Sequence, residues 1–264
     1  MTATEPPPRR VALVTAASRG LGFASAEALA AAGHDLVVGA RDPARLEAAA
    51  ARLRAHGVEV AAVPVDVADA TALEGVFEHV DARFGRLDVL VANAGGPPPG
   101  TFGDLDDDAW QRGFELTLMS AVRSLRLAIP RMRAGGFGRL VVIGSSSVRQ
   151  PLPGLVLSNA YRPALAGVVK SLAVELGPDG ITANLVSPGR IDTDRVRSLD
   201  AGRAERTGRA VEEVRAEAET SIPMGRYGEP AELGAAVAFL ASESAGYLTG
   251  QSLLVDGGLV PTLP

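Results

Sequence analysis

A repeated alternation constrains this chain more than any single motif. Short apolar runs recur at 11–14, 36–38, 58–63, 87–91, 140–143, 181–186 and 253–255. Ala-rich segments of helical character separate them at about 20–32, 43–56, 69–84, 106–133, 155–177 and 229–242. Strands that are continuously apolar are buried on both faces, and only helices above and below a sheet provide that. The pattern therefore predicts an α/β fold, a doubly wound parallel sheet of about seven strands in a single domain over residues 11–264. No internal repeat or domain boundary interrupts it. Residues 1–10, with Pro6-Pro7-Pro8, read as a disordered tail. Residues 195–222 break the rhythm, being rich in Glu and Arg with no strand partner. They read equally well as a solvated helical hairpin or as a lid over a cleft.

Composition removes several function classes. A net charge of −5 with pI near 5.3 argues against a nucleic-acid or anionic-membrane partner. There are no cysteines, so disulfides and thiolate metal sites are excluded, and no metal site is expected. No run of 18 apolar residues is present, and the N-terminus lacks the apolar region of a signal peptide, so a soluble, cytoplasmic protein is expected. The one lysine, Lys170, stands against 25 arginines, which marks a strong bias in the choice of cation.

The first turn carries a nucleotide signature. Thr15-Ala16-Ala17-Ser18-Arg19-Gly20-Leu21-Gly22 follows the first strand and opens the first long helix. In a Rossmann-type sheet this is where a pyrophosphate meets free helix N–H groups, and Gly20 and Gly22 permit the close approach. After the second strand, Gly39-Ala40-Arg41-Asp42 presents Arg41 where sheets that bind NAD usually carry an acid. With Arg19 nearby, two guanidiniums suit a 2′-phosphate, which favours NADP(H) over NAD(H). Asp42, followed by Pro43, reads instead as a helix N-cap. Asp66-Val67 after the third strand suits contact with the adenine ring, and Asn93-Ala94-Gly95 after the fourth lies beside the cofactor.

Chemistry is expected between residues 145 and 162. Ser145 ends a strand; Pro151, Pro153 and Gly154 form a loop; Ser158-Asn159-Ala160-Tyr161-Arg162 opens a helix. Positions four apart share a helix face, so Ser158 and Arg162 point the same way.

These motifs together resemble the short-chain dehydrogenase/reductase family over residues 10–258. The resemblance is carried by Thr15 to Gly22, Asp66-Val67, Ala92-Asn93-Ala94-Gly95, Ser187-Pro188-Gly189 with Thr193, and Tyr247-Leu248-Thr249-Gly250-Gln251 through Asp256-Gly257-Gly258. It implies sheet order 3-2-1-4-5-6-7, a nicotinamide cofactor and a homotetramer or homodimer. It also implies that Pro188, Gly189 and Thr193 border the nicotinamide, with Thr193 at its carboxamide. The departures are specific. The Thr-Gly that usually starts the turn is Thr15-Ala16 here. Of the catalytic Asn, Ser, Tyr and Lys, only the serine is kept, as Ser145; the other slots hold Thr117, Ser158 and Arg162. Within the family the chain looks like the atypical branch labelled ketoacyl-carrier-protein-reductase-like.

An aliphatic hydroxyl is a far weaker acid than a phenol, whose pKa of about 10 an adjacent lysine lowers. Loss of general acid catalysis forfeits about 10²–10⁴-fold in rate. Ser145 and Ser158 still suit hydrogen bonding to a developing oxyanion, and Arg162 keeps a positive charge able to hold ribose hydroxyls. The leading expectation is an NADP(H)-dependent oxidoreductase acting on a small carbonyl, enone or imine. The alternatives are a non-redox cyclase, dehydratase or epimerase on the same fold, and a cofactor-binding protein without catalysis. Tyr161 is expected to pack; Lys170, His34, His56 and His79 are expected at the surface. Pro97-Pro98-Pro99-Gly100 reads as a substrate wall or a plain connector, and Arg190 as a contact for an anionic group or for solvent. The small-residue segment 234–238 suits close packing between subunits.

Overall fold

The computed structural model describes residues 9–263. Seven strands form one parallel sheet in the order β3-β2-β1-β4-β5-β6-β7. The strands are β1 (Val11–Thr15), β2 (Asp35–Ala40), β3 (Val60–Pro64), β4 (Val89–Ala92), β5 (Gly138–Ile143), β6 (Ile181–Pro188) and β7 (Ser252–Val255). The helices α1 (Gly20–Ala31), α2 (Pro43–Arg54), α3 (Ala70–Phe84), α4 (Asp107–Phe114), α5 (Ser120–Gly135), α6 (Val156–Leu176), α7 (Asp194–Thr207), α8 (Val211–Thr220) and α9 (Pro230–Ala241) complete it.

The continuous burial of β1, β4 and β5 explains why their sequences do not alternate. Each sheet face has its own core. On one, Ala12, Val14 and Val38 meet Leu29 of α1, Leu46 of α2, and Val237 and Leu240 of α9. Val237 and Leu240 are three positions apart, close to one helical turn, so both reach the same face of the sheet. On the other face, Leu13, Leu90 and Leu140 meet Phe77, Leu125 and Leu165 from α3, α5 and α6.

Several expectations need correcting. The long helix read at 106–133 is two helices joined by a π-helical turn, Glu115–Met119, which carries Thr117. Within the small-residue segment of α9, Gly234 faces α1 inside the chain, while Ala235 stays exposed. A Cβ on Gly234 would lie 2.5 Å from the Ala24 carbonyl oxygen, so α9 packs against α1 at a distance only glycine allows. His34 is buried rather than at the surface, with Nδ1 3.2 Å from the Leu29 carbonyl oxygen and Nε2 lacking a partner. Desolvation lowers its pKa. His56 and His79 are exposed. Residues 1–8, most of the expected tail, lie outside the described residues. Arg9 and Arg10 are held, Arg9 by the Gly57 carbonyl at 2.7 Å and Arg10 by Glu243 at 2.5 Å.

No helix among the described residues is long and apolar enough to cross a membrane.

Candidate active site

The glycine turn has the shape its sequence asks for. Ala16 is the one non-glycine residue with positive φ among those described, at 49°, so the methyl group sits in a left-handed conformation. A Cβ on Gly22 would collide with the Ala16 carbonyl oxygen. Ser18 and Leu21 are half-buried in the turn, and Leu21 packs on the core. Arg19 occupies the N-cap of α1 without a side-chain cap, and the first turn contains no acid, so the helix end is open to an anion. Arg19 itself pairs with Asp194 at 3.1 Å. The Thr15 hydroxyl donates to the Asn93 carbonyl at 2.6 Å and accepts from the Asn93 N–H at 2.9 Å, which ties β1 to the loop after β4.

Beyond β2, Asp42 caps α2 by accepting from the Arg45 N–H at 3.1 Å, so its carboxylate is engaged. Arg41 is exposed, with no ion-pair partner among the described residues. Asp66 is exposed and accepts from the Ala68 N–H at 3.1 Å; Val67 is buried and lines an internal cavity. Ala94 lines the same cavity, while Gly95 is exposed. Pro188 ends β6, and the Gly189 N–H donates to the Val255 carbonyl at 2.9 Å. Thr193 is buried at the N-cap of α7, its hydroxyl oxygen accepting from the Val196 N–H at 3.4 Å. These residues fit a dinucleotide: an uncapped helix end, a turn closed to side chains and an unpaired cation after β2.

The wall expected to carry chemistry forms where β5 meets α6. The Ser145 hydroxyl oxygen accepts from the Ser147 N–H at 3.1 Å. Ser147 and Ser158 hydroxyls lie 3.1 Å apart. Arg162 is 7 % exposed and donates from Nη1 to the Ile143 carbonyl. Burial, with a smaller contribution from the charge on Arg195, pushes its pKa down to about 10. Arg162 lines the internal cavity with Thr117, whose buried hydroxyl has no partner.

The tyrosines and the lysine are engaged or open to solvent away from this wall. Tyr161 donates to the Trp110 carbonyl at 3.1 Å and packs edge-on against Trp110 and Phe114. Tyr227 donates to Asp200 at 2.8 Å, and Tyr247 is fully exposed. Lys170 is exposed and donates to the Gly250 carbonyl at 2.8 Å.

Five residues that sequence reasoning did not single out shape the site. Ser147 holds Ser158. Asn159 accepts from the Leu152 N–H and donates to its carbonyl, both at 2.9 Å, pinning the loop before α6. Arg195 donates to the Pro97 carbonyl at 2.7 Å. Asp200 and Tyr227 receive Arg190, which donates to Asp200 at 2.6 Å and to the Tyr227 hydroxyl at 2.9 Å. Burial first, and the bond to Asp200 next, raise the Tyr227 pKa to about 12. The loop after β4 is tied to the loop before α6, the Gly100 N–H donating to the Gly154 carbonyl at 2.8 Å.

Residues 15–260 match the family described as enoyl-(acyl carrier protein) reductase. The chain belongs to the short-chain dehydrogenase/reductase family. It is 36 % identical over 250 residues to the 3-oxoacyl-[acyl-carrier-protein] reductase FabG of Escherichia coli, covering 95 % of this chain and 97 % of that one. It is 36 % identical over 248 residues to the short-chain reductase protein NovJ of Streptomyces niveus, covering 94 % and 93 %. Among solved structures, L-sorbose reductase from Gluconobacter frateurii, crystallised with NADPH and L-sorbose, superposes with a TM-score of 0.92. Identity there is 36 %, covering 97 % of this chain and 98 % of that one. The order of the sheet is thus the one the resemblance implied.

Proposed function

We propose that this short-chain dehydrogenase/reductase is an NADP(H)-dependent oxidoreductase that reduces a small carbonyl, enone or imine without a tyrosine acid. The observation that carries the reading is the buried Arg162 beside Ser158, in a cleft from which the tyrosines and the lysine are turned away. NADP(H) is supported by the unpaired Arg41, by the engagement of Asp42 in its cap, and by the NADPH held by the sorbose reductase.

When bound, the nicotinamide supplies a hydride. Ser145 and Ser158 donate hydrogen bonds to the oxygen that gains charge, and Arg162 adds positive potential from a desolvated position. The substrate oxygen takes its proton from water, so carbon gains the hydride, oxygen gains the proton, and hydroxide is released to the buffer. Ser147 positions Ser158. Helices α7 and α8, which span most of 195–222, form the lid in this reading, with Asp200 anchoring it to Arg190 and Tyr227.

The test is fluorescence titration with NADPH and NADH, followed by nicotinamide absorbance with ketones, enones and imines. NADPH is expected to bind at least about 10-fold tighter than NADH, the worth of one charge-assisted contact, and Arg41→Ala to erase that preference. The double variant Ser158→Tyr with Arg162→Lys is expected to raise ketone reduction by about 10²–10⁴-fold. Absence of NADPH binding sinks the redox reading.

A further inference from the structure

Three segments border the slot that suits a dinucleotide: the glycine turn, the loop after β4 and the start of α7. The first two are tied directly, since Thr15 and Asn93 exchange two hydrogen bonds. The third comes up against the glycine turn, where a Cβ on Gly20 would lie 3.7 Å from Thr193 Cγ2. Two consecutive residues then reach from α7 to the other segments. Asp194 pairs with Arg19 in the glycine turn at 3.1 Å. Arg195 donates from Nη2 to the Pro97 carbonyl, in the loop after β4, at 2.7 Å. Successive helical positions point about 100° apart, so a single turn of helix grips both rims of the slot.

The two contacts differ in strength. A Cβ on Gly96 would lie 2.8 Å from Arg195 Nε and 3.0 Å from its Cζ and Nη2, so the guanidinium lies on backbone that only glycine leaves open. Arg195 is half-buried there and Pro97 is buried. A hydrogen bond from a charged donor in such a place favours the closed form by about 10–100-fold. Arg19 and Asp194 have side chains 61 % and 58 % exposed, and an ion pair in water contributes less than about fivefold.

We propose that Asp194 and Arg195 form a clasp that holds the start of α7 across the cofactor slot and sets how fast NADP(H) enters and leaves. Arg195 is the strong arm and Asp194 the weak one. A clasp that closes over the empty and the loaded slot alike slows entry and exit by the same factor, so it changes rates and leaves affinity nearly constant. A residue that only touches the cofactor acts on dissociation and on affinity. This inference rests on the cofactor and lid readings above.

The experiment follows NADPH association and dissociation by stopped-flow fluorescence on the whole chain. Arg195→Ala is expected to speed both by about 10–100-fold while Kd moves less than about threefold. Gly96→Ala keeps the arginine but displaces its guanidinium from the loop, and is expected to speed both by about 10-fold or more. Asp194→Asn is expected to speed both by less than about fivefold. Ser198→Ala, exposed on the same helix, is expected to leave both rates as they were. Association no faster than wild type in Arg195→Ala and Gly96→Ala overturns the inference. So does faster dissociation alone, which would make Arg195 an ordinary cofactor contact, or an equal gain in Ser198→Ala, which would report a general loosening of α7. A wild type that does not bind NADPH would instead overturn the cofactor reading, and the clasp with it.

Discussion

Replacing Arg162 by methionine is expected to stabilise the free protein, although it damages the site. The guanidinium is almost wholly buried, and burial pushes its pKa down to about 10. Against an ordinary guanidinium value above 12, that fall corresponds to about 3 kcal/mol of unfavourable charge burial at neutral pH. Methionine removes this cost but leaves the Ile143 carbonyl without its donor, at about 1 kcal/mol, and packs imperfectly. A net gain of about 1–2 kcal/mol remains, which for a chain of this size raises Tm by about 2–8 °C. Thermal unfolding at pH 7 measures it. The pH dependence has a definite sign. Below about pH 10 both folded and unfolded states hold the proton, and the wild type carries the full cost. Above about pH 10 the folded state releases the proton first, so the wild type recovers and the gap to the methionine variant narrows. A lower Tm for Arg162→Met at pH 7 would refute the reasoning, because it would mean the guanidinium is well satisfied where it lies.

Two further changes test the frame around the site. Ala16→Gly relieves a left-handed alanine, worth about 1–2 kcal/mol, against a loss of up to about 1 kcal/mol from the freer unfolded chain, so chemical denaturation should show a stabilisation of up to about 2 kcal/mol. Destabilisation would show that the methyl group packs usefully. Tyr227→Phe removes a donor from Asp200 and an acceptor from Arg190, and is expected to cost about 1–3 kcal/mol in urea unfolding; no change would mean that Arg190 alone satisfies Asp200.

Much of the nucleotide half was legible in the chain because its constraints are local. Gly22 must be small to clear the backbone oxygen of Ala16, and Asp42 caps a helix that begins with the next residue. The proposed catalytic half was legible only in part. Ser158 and Arg162 share a face because they are four apart, yet Ser147, which holds Ser158, comes from another element. Arg195 was hidden among 25 arginines, since nothing in its neighbours marks the Pro97 carbonyl that it reaches 98 positions away.

Sequence alone determined the layers: buried strands must be covered, and the spacing of apolar runs states how often. It also set Ser158 and Arg162 four positions apart on one helix face, the placement on which the proposed chemistry rests. Tertiary structure decided the charges. Arg190 and Arg195 stand close together in the chain with the same side chain, but one finds Asp200 and Tyr227 while the other reaches the Pro97 carbonyl. The difference lies in which distant groups the fold brings within reach, and electrostatic energy depends on distance through space and burial rather than position along the chain.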